Sequence, residues 1–75
     1  MPTLKRRSNG KIAMYANDHG EAHFHIESPA GRCSVSIINF ALIIGSVDRS
    51  LLDEALAWAK DHQDLLKARW KELNP

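Results

Sequence analysis

Ala22-His23-Phe24-His25-Ile26-Glu27 alternates without a break, sending Ala22, Phe24 and Ile26 to one side of an extended strand and His23, His25 and Glu27 to the other. One side reads as core and the other carries groups that can do chemistry. On the N-terminal side, Asn17 to Glu21 is turn chemistry in which Gly20 can supply a positive φ. Before it, Lys11 to Ala16 alternates again, with Ile12, Met14 and Ala16 opposed to Lys11, Ala13 and Tyr15. On the C-terminal side, Ser28-Pro29-Ala30-Gly31 is a turn. Cys33, Val35 and Ile37 then give a third strand an apolar face opposite Arg32, Ser34 and Ser36. A short fourth strand from Ala41 to Ile44 is closed by Gly45.

Near Gly45-Ser46 the period changes from two to that of a helix. The pattern predicts one helix from about Ser50 to about Leu73. Ser50 with Asp53 resembles a capping box, and Ser46 or Asp48 are the other candidates for the cap. Leu52, Ala55, Leu56, Ala59, Leu66, Trp70 and Leu73 fall on one stripe, edged by Leu51, Trp58 and Leu65, while Asp53, Lys60, Asp64, Lys67 and Lys71 lie opposite. The fold class is therefore α+β, a small antiparallel sheet of three to four strands packed against one long C-terminal helix. The expected layout is a single domain over residues 1–75, with a basic N-terminal arm at 1–9, strands at 10–45 and the helix at 46–75. The sheet face away from the helix then gathers Lys11, Tyr15, His23, His25, Glu27, Arg32, Ser34 and Ser36.

Composition narrows the function classes. Cys33 is the single cysteine, so no disulfide forms within the chain, and a polar start at Met1 to Arg7 with no secretory segment fits a reducing cytoplasm. The longest apolar run, Ile37 to Ile44, is too short to span a bilayer and is interrupted by Asn39. A net charge of +1 is not that of a dedicated nucleic-acid binder, although protonating all four histidines would raise it to +5.

Asp18-His19, followed after three residues by His23-Phe24-His25, is the specific part of a pattern that continues through Trp58, His62, Leu65-Leu66 and Trp70 and begins at Met1-Pro2-Thr3. In this the chain resembles the small bacterial family called domain of unknown function 4160. The resemblance covers nearly the whole chain. It departs at Glu21-Ala22, where members carry a proline pair, and near Phe40, where they carry a glycine. The resemblance implies a component of a small two-gene cassette of toxin–antitoxin type.

Three chemistries fit the residues. Histidines at i and i+2 on a strand face the same way, so His23 and His25 could share a divalent transition metal such as zinc or nickel, with His19 from the loop and Glu27 or Asp18 as an oxygen ligand. A metal-independent ribonuclease would instead use His23 and His25 as base and acid, Arg32 or Lys11 to stabilise phosphorane charge, and Tyr15 as a stacking or proton-donating neighbour. No nucleophile elbow or phosphate-cradling glycine loop favours another enzyme class. The third reading is an interaction module. A helix of about 36 Å should overhang strands of about 20 Å, leaving Leu65, Leu66, Trp70 and Leu73 to a homodimer mate or cognate partner. His62, at the margin of the stripe, reads as a boundary histidine bonded to the sheet, and Gln63 beside it marks a place where the helix meets something polar.

Overall fold

The computed structural model describes the backbone of residues 3–7, 10–16 and 20–75, and the side chains of residues 10–16 and 20–75. His19 and Asp18, named above as metal ligands, lie outside the described residues. The elements run β1 (Thr3–Arg7), β2 (Gly10–Ala13), β3 (His23–Ser28), β4 (Gly31–Ser36), β5 (Leu42–Ser46), α1 (Arg49–Asp61) and α2 (Gln63–Leu73). Each strand pairs antiparallel with the next, so the sheet order is β1-β2-β3-β4-β5. The α+β class holds, and β2 to β5 are the four strands read from the alternation. β1 extends that sheet from within the stretch read as a basic arm, where Lys5-Arg6-Arg7 carries no period-two pattern to betray a strand.

The register follows from the alternation. Phe24 stands across from Val35 and Ile26 from Cys33, while His23 meets Ser36, His25 meets Ser34 and Glu27 meets Arg32. Ile12, Met14, Phe24, Ile26, Cys33, Val35 and Ile37 are buried together with Leu51, Ala55, Ala59 and Leu66 from the helices. The buried line of α1 runs through Leu51, Ala55 and Ala59, so the helix is rolled toward Leu51, and Leu52 and Leu56 flank the core. Asp48, one of the three candidate caps, is the one used: its carboxylate accepts from the Ser50 backbone N–H at 3.2 Å. Bonding to the Ser50 hydroxyl, then to the backbone N–H groups of the first turn, holds the Asp48 carboxyl below its ordinary value. That contribution to the helix is present above the ordinary carboxylate range and is lost as pH falls through the depressed folded value.

The single long helix is corrected to two. At His62 the ring Nδ1 takes the Trp58 carbonyl at 2.7 Å, the acceptor that the His62 backbone N–H would use in an uninterrupted helix. That N–H turns instead to the Ala59 carbonyl at 3.1 Å, and φ −124°, ψ 28° at His62 redirect the chain. The ring also stacks on Trp58, with centroids 4.3 Å apart. His62 thus bonds to the helix, where a bond to the sheet was expected. Gln63 meets the polar surface its position implied, donating from Nε2 to the carbonyls of Ile37 at 2.8 Å and Ile38 at 3.3 Å. The break removes the expected overhang. Leu66 is fully buried, and Trp70 and Leu73 pack partly against the same core. The apolar residues assigned to a mate across the helix are therefore mostly covered within the chain, with Leu65 still exposed.

Two backbone positions carry the β4–β5 hairpin. Phe40, where the resembled family has glycine, adopts φ 61° and packs its side chain against the core, so its contacts offset the strain of a left-handed residue. Gly45 has φ 85°, and a Cβ there would run into the Arg32 carbonyl oxygen and the Cys33 Cα. Gly45→Ala is therefore expected to lower stability by about 2 kcal/mol in urea denaturation, combining left-handed strain with a backbone clash. An unchanged midpoint would mean that β5 does not pack against β4 as described.

Candidate functional site

Opposite Phe24 and Ile26 the sheet is only partly open, with His23, Ser34 and Ser36 buried, and it holds a chain of rings that reaches α2. Tyr15 and His25 meet edge-on with centroids 5.0 Å apart, His25 and His23 meet at 5.0 Å and 70°, and His23 meets Trp70 at 5.0 Å. Period two explains the first three, because Ala13 lies across from His25 and Tyr15 is two residues further along the same face. Trp70 joins them from α2, beyond the break at His62, a contact the sequence pattern did not disclose. It covers His23, which is 8% exposed, whereas His25 remains half-buried and open to the surface.

Hydrogen bonds fix both histidine rings. His23 Nδ1 lies 2.8 Å from the Glu21 carbonyl, which can only accept, so Nδ1 carries the hydrogen. His25 Nδ1 lies 3.3 Å from Ser34 Oγ. Ser36 donates to Glu21 Oε2 at 3.1 Å and accepts from the backbone N–H groups of Ile38 and Asn39, so it builds the turn more than it serves the open face.

Two depressions flank His25. One, of about 460 Å³, is lined by Tyr15, His25, Glu27, Arg32, Ser34 and Ile44 among others. The second, of about 340 Å³, is lined by Gly20, Glu21, His23, His25, Ser34, Ile43 and Ile44. In the larger one Glu27 accepts from the Tyr15 hydroxyl at 2.6 Å and pairs with Lys11 at 3.7 Å. Arg32, directly across the ladder from Glu27, is exposed and has no ion-pair partner among the described residues. The acid of the pocket is thus engaged by Tyr15 and Lys11.

Of the residues named for acid–base chemistry, Tyr15, His25 and Arg32 border one pocket, while His23 borders the neighbouring one. For a metal, His23 and His25 are adjacent, and no group of three His, Cys, Asp or Glu side chains able to hold an ion occurs among the described residues. Cys33 points to the core at 3% exposure, and burial pushes its thiol above the ordinary value. The folded chain then keeps a proton that the unfolded chain loses, so this stability is present below about pH 9 and declines as pH rises beyond it. Iodoacetamide is expected to alkylate Cys33 at least ~100-fold more slowly in native protein than in urea. Equal rates would place the thiol at the surface.

No helix among the described residues is long and apolar enough to cross a membrane. No curated protein and no solved structure matches the chain. A family model described as domain of unknown function (DUF4160) matches residues 11–71, from β2 through nearly all of α2, and so takes in the ring chain, the Arg32 pocket and the break at His62: the chain belongs to this family.

Proposed function

We propose that the protein is a component of toxin–antitoxin type that takes single-stranded RNA on the open sheet face, with a phosphate in the pocket between Arg32, Ser34 and His25. The observation that supports this most is the exposed Arg32 guanidinium beside a glutamate already held by Tyr15 and Lys11. A guanidinium presents a fork of N–H donors suited to phosphate oxygens, and a serine hydroxyl and an imidazole are ordinary additional donors. Tyr15 and His25 also line this pocket, and aromatic rings are the class of side chain on which unpaired bases stack.

Binding fits this geometry better than cleavage. His23 and His25 touch edge-on, so a phosphate does not fit between them as it must between a base and an acid on opposite sides. Cleavage by this pair would require Trp70 to leave the His23 ring. The test is fluorescence anisotropy with a labelled single-stranded oligoribonucleotide in a chelator, followed by analysis of its ends. Micromolar binding with intact RNA is the expected result. RNA ending in 2′,3′-cyclic phosphate would establish catalysis, and no binding at low salt would refute an RNA role and favour a protein partner on this face. If zinc or nickel raised the thermal midpoint of untagged protein and His23→Ala abolished the rise, the metal reading would replace it.

A further inference from the structure

The second depression beside His25, of about 340 Å³, is at the lower end of ligand-sized sites. β5 supplies its apolar wall. Across from Ser34 and Val35 the register runs to Ile44 and then to Leu42, so Ile43 is an extra residue in the strand. Consecutive strand residues ordinarily point to opposite faces, yet Ile43 and Ile44 both border this depression, because a bulge re-aims a side chain. Glu21 borders it as well. Ser36, 1% exposed, gives its hydroxyl proton to Glu21 Oε2 at 3.1 Å and is itself held by the backbone N–H groups of Ile38 and Asn39. The carboxylate is thereby anchored at Ser36, on the same strand face as Ser34, a lining residue two positions back. No cation pairs with Glu21 among the described residues.

We infer that this depression takes a guanine base of the bound RNA, with its face against Ile43 and Ile44 and its Watson–Crick edge on the Glu21 carboxylate. This base preference rests on the RNA reading of the same face. A carboxylate only accepts, and its two oxygens match two parallel donors. Guanine presents N1–H and N2–H side by side on that edge. Adenine and cytosine present one amino group beside a ring-nitrogen acceptor, and uracil presents N3–H between two carbonyls, so each sets an acceptor against the carboxylate. The charge of Glu21 also repels a second phosphate, so this depression selects a donor edge while the Arg32 pocket selects an anion. The two depressions share His25, Ser34 and Ile44, as a phosphate and the base one sugar away from it require.

The test is fluorescence anisotropy of the full chain with labelled oligouridylates whose central base is guanine, adenine, cytosine or uracil. Guanine should bind about 10–100-fold more tightly than uracil, the range for a base held by two hydrogen bonds. Inosine at the centre lacks the N2 amino group and should fall between them. In Glu21→Gln, where Ser36 can still donate to the amide oxygen, the guanine-to-uracil ratio should drop to about 3-fold or less, because the amide NH2 meets a donor edge. A general loss of fold would weaken every oligoribonucleotide and leave that ratio unmoved. Guanosine monophosphate should bind at least ~10-fold more weakly than the guanine oligoribonucleotide, which adds phosphate contacts. Equal affinity for all four bases with binding retained, or a ratio untouched by both inosine and Glu21→Gln, would overturn the inference and leave RNA binding standing. Guanosine monophosphate binding as tightly as the oligoribonucleotide would overturn it in favour of a free nucleotide. No binding of any oligoribonucleotide would remove the RNA reading, and this preference with it.

Discussion

Phe24→Ala is expected to remove about 3–5 kcal/mol of stability, because the ring is wholly buried where β3 crosses the middle of the core. A domain of this size has on the order of 4–11 kcal/mol in total, so the loss is about a third or more of the whole and, at the low end of that range, leaves the variant near its unfolding midpoint at 25 °C. With a urea slope of about 1 kcal/mol/M, the transition should move down by roughly 3 M or more. The same substitution tests the site. A one-residue slip in register would turn Phe24 outward and carry His23 and His25 into the core. A loss below about 1 kcal/mol would therefore contradict both the core and the open histidine face.

Arg32→Ala should leave the fold intact and weaken RNA binding by about 10–100-fold, the range expected for losing a charge-assisted hydrogen bond to phosphate. Arg32 is exposed, so its truncation removes little packing. The slope of log affinity against log salt should flatten by about 0.7, the signature of one fewer phosphate neutralised on a single strand. Arg32→Lys should recover part of the affinity, because it restores the charge without the planar fork. Unchanged affinity and salt slope in Arg32→Ala, with binding retained, would move the phosphate contact to another part of the surface.

Much of this arrangement was legible in the sequence because period two is a strong constraint. Once Phe24 and Ile26 face the core, His23, His25 and Glu27 share the other side, and the turn at Ser28 to Gly31 brings Arg32 and Ser34 beside them. The helix break was hidden for a physical reason. Apolar spacing continues through residue 62, and the agent of the break is a side chain that competes for a backbone acceptor, which periodicity does not register. Gln63 was the available signal, a polar residue on an apolar stripe that proved to bond the β4–β5 turn. With the break unseen, the overhang followed, and Trp70 could not be placed on His23. β1 was missed because Lys5-Arg6-Arg7 has the composition of a solvated arm, and its pairing depends on the neighbouring β2.

The central claim, that the open sheet face around Arg32 and His25 receives RNA, is tested most directly by titrating ¹⁵N-labelled protein with a single-stranded oligoribonucleotide and following backbone amides, the Arg32 Nε–H and the His25 ring. Shifts concentrated at Tyr15, His25, Arg32, Ser34 and Ile44, saturating together, are the predicted result. Shifts confined to the outer surface of α1 and α2, or none at millimolar RNA, would contradict it.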